Sequence, residues 1–144
     1  MKLKSDSSLD RYKARLVALG NKQEYGLDYE ETFTPVAKMT TMRTILVIAS
    51  SQSWVLHQMD VKNAFLNGDL KEEIYMKLPP GMQMIAPHEV CKLRRSLYGL
   101  KQALGAWFEK FRDTLLTFSF TQSQYDFSLF FHKTTTGMVF LLDS

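Results

Sequence analysis

The sequence is poor in cysteine: Cys91 is the only one in 144 residues. That excludes an internal disulfide and any cysteine-built metal site, and it fits a reducing, intracellular setting. No apolar run approaches the roughly 20 residues a membrane-spanning helix needs, so no membrane partner is expected. The first ten residues are polar and charged, unlike a secretory signal. Internal repeats and low-complexity tracts are lacking. A large charge excess is lacking too: the formal net charge is +3 with 23% charged residues, which by itself names no partner.

What is present is ordinary globular composition, with 45% hydrophobic residues. A chain of this length suits one domain and can bury roughly 70% of the surface its unfolded form exposes. Ten Phe and six Tyr supply most of the aromatic content, and the majority belong in a core. The charges are unevenly placed. Lys2, Lys4, Arg11, Lys13, Arg15 and Lys22 crowd the start, and Lys92, Arg94, Arg95 and Lys101 form a second basic run. Glu24, Asp28, Glu30 and Glu31 lie between them. Such runs either neutralise phosphates or form a solvated face.

Periodicity and turn residues outline the elements. Residues 12–19 alternate basic and apolar and predict a strand ended by Gly20 and Asn21. Residues 26–35 predict a loop. Thr40 or Thr41 can cap a helix whose apolar face carries Met42, Ile45, Leu46 and Ala49. Residues 55–61 predict a strand running into Asp60, and Asn67-Gly68 a turn. Residues 74–78 and 90–93 predict short strands. Residues 103–118 predict the strongest helix, with Leu104, Trp107, Phe108, Phe111 and Leu115 spaced by three and four. Residues 127–132 and 138–142 predict a hairpin around 134–137. Mixed helices and hairpins define an α+β domain with a mostly antiparallel sheet packed on helices.

Asp60 is the most informative position. A carboxylate at a strand end can hold Mg²⁺ while partly solvated, or it can cap the turn that follows. Two-metal phosphoryl transfer needs several carboxylates around a pair of ions, so one Asp does not suffice. Phe65 reads as a core aromatic beside a turn or as a ring facing a ligand. His57, His88, His132 and Cys91 have no ligand-like spacing.

Four ordered stretches carry a resemblance: Tyr12-Lys13-Ala14-Arg15-Leu16-Val17-Ala18, Asp28-Tyr29-Glu30-Glu31-Thr32-Phe33-Thr34-Pro35-Val36-Ala37, His57-Gln58-Met59-Asp60-Val61-Lys62-Asn63-Ala64-Phe65-Leu66-Asn67-Gly68, and Ser96-Leu97-Tyr98-Gly99-Leu100-Lys101-Gln102-Ala103. Together, across residues 4–142, they resemble the reverse transcriptase of Ty1/copia-type retrotransposons, an RNA-directed DNA polymerase carried within a Pol polyprotein. The resemblance implies an incomplete fingers-and-palm fold, Mg²⁺ as cofactor, and a primer-template of RNA or DNA with deoxynucleoside triphosphate as partners. It implies a cytoplasmic particle or the nucleus as location.

Residue by residue, the resemblance makes Asp60 the first catalytic aspartate and a metal ligand, with the Val61 carbonyl beside it. Phe65 would disfavour a 2′-hydroxyl on the incoming sugar. Lys13 and Arg15 would hold the triphosphate, Arg15 through its planar fork. Tyr98, Gly99 and Gln102 would line the nucleotide pocket, while Arg94, Arg95 and Lys101 would touch nucleic-acid phosphate. Two departures argue against activity. Leu104-Gly105 stand where the family pattern has Pro-Arg, and residues 138–142 are followed by Asp143-Ser144 rather than the Tyr-Val-Asp-Asp turn. Residues 1–144 are therefore expected to be one partial domain ending before that turn, the thumb and the ribonuclease H region. The expected product is a nucleotidyltransferase by descent that is inactive as it stands, or a non-catalytic nucleic-acid-binding remnant.

Overall fold

The computed structural model describes residues 2–3, 5, 7–12, 15–83 and 86–143. Among these, two helices and three small antiparallel sheets form an α+β arrangement. Strands β1 (Lys2–Leu3) and β2 (Leu9–Arg11) pair with each other. Helix α1 covers Met39–Ser51, followed by a 3₁₀ turn at Ala64–Asn67. Strands β3 (Asp69–Lys77) and β4 (Val90–Arg95) form a hairpin with an irregular register between Asp69 and Ile74. Helix α2 covers Ala103–Thr117. Strands β5 (Thr121–Gln122), β6 (Leu129–Lys133) and β7 (Met138–Leu142) complete a three-stranded sheet in the order β5-β6-β7.

Helix α2 joins two small cores. Its N-terminal end places Ala103 with Ile74 and Leu100, against which Phe65, Leu70, Leu93 and Leu97 pack. Its far end places Phe108 and Leu115 on Phe130, with Phe111, Phe120 and Leu141 around them. Phe111 meets Phe130 edge-on at 5.8 Å, a geometry that sets ring edge against ring face. The turn at Asn67-Gly68 also has a packing role. A Cβ on Gly68 would lie 2.7 Å from the Ala106 backbone, so only glycine lets α2 approach this closely.

Three expectations are corrected. Residues 12–19 form no strand among the described residues; Val17 makes a single parallel bridge to Tyr98, while Tyr12, Leu16 and Leu19 stay exposed. Residues 55–61 form no strand either, and Val55 and Met59 are 79% and 76% exposed. Alternating or apolar sequence makes a strand only where a neighbour supplies hydrogen bonds, and among the described residues neither segment has one along its length. Leu46 and Leu104, expected on buried helix faces, are exposed. The total accessible surface of 11544 Å² exceeds the about 7,600 Å² of a compact monomer of this mass, in keeping with these open apolar segments.

The start of α1 is held by a distant residue rather than by Thr40 or Thr41 as cap. Lys38 donates its N–H to Asp126 Oδ2 at 3.1 Å, and the Thr41 hydroxyl bonds the same carboxylate. Ser128 donates its N–H and hydroxyl to Oδ1 at 3.1 and 2.7 Å. Asp126 is only 5% exposed. Burial by itself would raise its pKa; the hydrogen bonds from Thr41, Ser128 and Lys38 outweigh it and hold the carboxyl at about 2. Because the folded pKa lies below the unfolded one, this stabilisation is complete above about pH 4 and lost as pH falls toward 2. Asp126→Ala should cost about 2–3 kcal/mol in urea unfolding at pH 7, and the cost should shrink steadily below pH 4. An undiminished cost at pH 2.5 would show that the charge does not carry the clamp.

Candidate functional site

Two chain segments cross where residues 17–20 meet the loop after β4. Ala18 donates its N–H to the Tyr98 carbonyl at 2.7 Å, beside the Val17–Tyr98 bridge. Gly99 adopts φ +90°, and a Cβ there would lie 2.2 Å from the Ala18 carbonyl oxygen. Gly20 faces it, with a Cβ that would fall 1.9 Å from the Gly99 oxygen. Both positions therefore require glycine, one for its backbone conformation and both for the approach of chain to chain.

This crossing brings three side chains into line. The Arg15 guanidinium lies 5.7 Å from the centre of the Tyr98 ring, and Tyr98 meets Phe65 edge-to-face at 5.4 Å. Phe65 is fixed from behind, because the fully buried Ser96 donates its hydroxyl to the Phe65 carbonyl and its N–H to that of Gly68. Cation, phenol and phenyl thus form a ladder with its cationic end exposed. Lys13 lies outside the described residues.

Gln102 and Lys101 face the other way, into a polar lock that sequence did not disclose. Gln102 is 4% exposed; its Nε2 donates to the Asp28 carbonyl at 2.9 Å, and its Oε1 accepts from Gln23 Nε2 at 3.0 Å. Lys101 donates its N–H to Gln23 Oε1 and its ammonium to the Tyr29 hydroxyl at 2.9 Å and the Gln23 carbonyl at 3.3 Å. The same ammonium sits 4.5 Å from the Tyr29 ring centre. These contacts tie residues 20–29 to the start of α2.

Asp60 lies in the irregular stretch between α1 and the 3₁₀ turn, exposed together with its chain neighbours. The Val61 carbonyl accepts the Ala64 N–H at 3.2 Å, and Asn63 takes a left-handed φ of 55° to enter the turn. Among the described residues, no three His, Cys, Asp or Glu side chains come together as a metal cage. One solvated carboxylate and one engaged carbonyl leave an Mg²⁺ ion mostly hydrated and do not fit a two-ion clamp. Asp143 is partly withdrawn from solvent, which pushes its carboxyl up, and its N–H donates to the Ser128 carbonyl at 3.0 Å.

Arg94 and Arg95 are exposed at the end of β4. On this hairpin Lys71 pairs with Glu109 and Lys92 with Glu73, while Lys110 of α2 pairs with Asp69. The hydrogen bond and charge of Lys110, and more weakly the charge of Arg95, hold the Asp69 carboxyl below its usual range. Arg94 and Arg95, like the exposed Lys77 of β3, form no ion pair among the described residues, so they are available cations here.

Comparison with known proteins gives the class and lineage of this α+β chain. The family described as "Reverse transcriptase (RNA-dependent DNA polymerase)" matches residues 1–142. The chain belongs to this family, as a reverse transcriptase domain of the kind found in copia-type retrotransposon Pol polyproteins. It is 51% identical over 142 residues to the Retrovirus-related Pol polyprotein from transposon RE1 of Arabidopsis thaliana, covering 98% of this chain and 10% of that protein. It is 46% identical over 134 residues to the corresponding polyprotein from transposon TNT 1-94 of Nicotiana tabacum, covering 92% and 10%. Identity to the Transposon Ty1-H Gag-Pol polyprotein of Saccharomyces cerevisiae is 32% over 110 residues, covering 73% and 6%. The chain spans about a tenth or less of the length of these curated relatives. No solved structure matches it. Reverse transcriptases use Mg²⁺ and act on a nucleic-acid template with deoxynucleoside triphosphates. No helix of the described residues is long and apolar enough to cross a membrane.

Gly99→Ala should destabilise the chain by about 3 kcal/mol, since it adds both a positive-φ penalty and a clash with Ala18. Urea unfolding checks this; a loss under 1 kcal/mol would mean that the two segments can separate without cost.

Proposed function

We propose that this chain carries the nucleotide-pocket wall and the first palm carboxylate of a copia-type RNA-directed DNA polymerase, and that by itself it binds primer-template without extending it. The observation that supports the reading best is the Arg15–Tyr98–Phe65 ladder. Residues far apart in sequence meet at a point where an exposed guanidinium can take a triphosphate and an aromatic ring can press on a sugar. Gly99 and Gln102 belong to the same wall in this reading, with Gln102 acting from within the lock to Asp28 and Gln23; Lys13 is given to the triphosphate by the family resemblance alone. Asp60 and the Val61 carbonyl match the family's first palm carboxylate and its neighbour, one part of a metal clamp that these two groups do not form by themselves.

The expected lack of turnover follows from charge. Phosphoryl transfer is catalysed almost wholly by positioning and electrostatic stabilisation, so a lone hydrated carboxylate leaves the barrier many kcal/mol too high. Binding asks for less: exposed cations that release counterions from phosphates. Arg94 and Arg95 meet that requirement. Lys101 is largely committed to Tyr29 and Gln23 and contributes to nucleic-acid binding chiefly by holding the loop.

Primer extension on an RNA template with Mg²⁺ should give no product. Binding to the same primer-template should weaken with salt, and Arg94→Ala and Arg95→Ala should each lower the log–log slope by about 0.9. Lys101→Met should leave the slope unchanged while lowering Tm, and Asp60→Ala should leave binding unchanged. Extension that disappears in Asp60→Ala would replace this reading with that of an active enzyme. Binding with no salt dependence would remove the nucleic-acid role altogether.

A further inference from the structure

Residues 30–37 are pinned at both ends and untied between them. At one end, Lys101 holds Tyr29 and Gln102 holds the Asp28 carbonyl. At the other, Lys38 gives its N–H to Asp126 and its ammonium to the Tyr125 carbonyl at 2.7 Å. None of residues 30–37 makes a hydrogen bond to another described residue, and Phe33 and Val36 are 72% and 78% exposed. A stretch with few buried contacts and no backbone hydrogen bonds opens at little free-energy cost.

One side-chain atom in the stretch behaves differently. Thr34 Oγ1 is buried and has no hydrogen-bond partner. Gly105, in the first turn of α2, lies close to it. A Cβ on Gly105 would lie 3.9 Å from Thr34 Oγ1 and 3.8 Å from the Phe33 carbonyl oxygen, ordinary contact distances that leave room for a side chain. A hydroxyl one bond further out can reach either acceptor. With glycine there, the helix supplies nothing, and the buried hydroxyl bears its desolvation cost unpaid.

We infer that residues 30–37 act as a hinge between the loop locked on α2 and helix α1, and that its closing point is the Thr34 hydroxyl beneath Gly105, which this chain leaves unmade. The hinge opens far more often than either helix unfolds. The side chain at position 105 sets how often. This conclusion rests on the strap and its two anchors and stands whether or not the chain engages nucleic acid.

The test uses the full chain, limited proteolysis under native conditions and thermal unfolding. In the unaltered protein, peptide bonds of residues 30–37 should be cut at least 100-fold faster than those of α1 and α2. Gly105→Ser should slow that cutting about tenfold, whereas Gly105→Ala should raise Tm by a few degrees through helix propensity without slowing it. Thr34→Val removes the unpaired hydroxyl and should raise Tm by about 3 °C in the unaltered chain. In the Gly105→Ser background the same substitution should lower Tm, because it then deletes a hydrogen bond. That reversal of sign separates a latch from general stabilisation. A Thr34→Val effect of equal sign and size in both backgrounds, or protection of residues 30–37 equal to that of α2, would overturn the inference.

Discussion

The buried carboxylate of Asp126 is the contact on which the placement of the rest depends. It receives the backbone of Lys38 and the hydroxyl of Thr41 from the start of α1, and the backbone and hydroxyl of Ser128 from the entry to β6. A single charge thereby fixes a helix N-terminus to a sheet more than 80 residues away in sequence. The arrangement is also electrostatically sound, because a helix start presents unpaired N–H groups and the positive end of its dipole. Helix α1 in turn delivers the stretch that carries Asp60. Trp54, just past its end, donates its N–H to the Ala49 carbonyl and stacks on Phe140 of β7 at 5.5 Å. The position of the one carboxylate with a proposed chemical role is thus inherited from another carboxylate that has none.

The second organising feature is the crossing of residues 17–20 over the Tyr98-Gly99 loop. Glycine on both chains permits the approach, and a short backbone hydrogen bond secures it. Side-chain bonds from Lys101 and Gln102 then continue the seam toward Asp28 and Tyr29. What this seam presents outward is the exposed Arg15 guanidinium backed by two aromatic rings. What it turns inward is a set of amides that satisfy one another. Basic residues close together in sequence consequently differ in what they can do: Arg94 and Arg95 are open to solvent, whereas the Lys101 ammonium is shared between a ring, a phenol and a carbonyl.

Much of this was legible beforehand. Three- and four-residue apolar spacing gave away α2, and turn residues marked the hairpin between β6 and β7, because both signals are local and depend on side-chain direction alone. The family was legible from four ordered motifs. That no strand runs through the described residues of 12–19 or through 55–61 was not, since a strand is defined by its neighbour and neither pattern says whether one is present. Asp126 was missed although Asp126-Phe127-Ser128 carries a recognisable signal, a carboxylate able to accept the N–H two residues on. The lock around Gln102 had no such signal: its partners Gln23 and Asp28 lie more than 70 residues away and are of common type.

The amino-acid sequence by itself determined the lineage, the α+β class and the strongest helix, because these follow from residue type and short-range order. Only the tertiary structure decided which polar and charged side chains are free and which are spent. It set Arg15 against Tyr98, committed Lys101 and Gln102 to a seam, left Asp60 exposed, and caged Asp126. The reason is physical: a side chain's hydrogen-bonding capacity and charge belong to the residue, but their availability depends on partners brought near by the folding of distant chain.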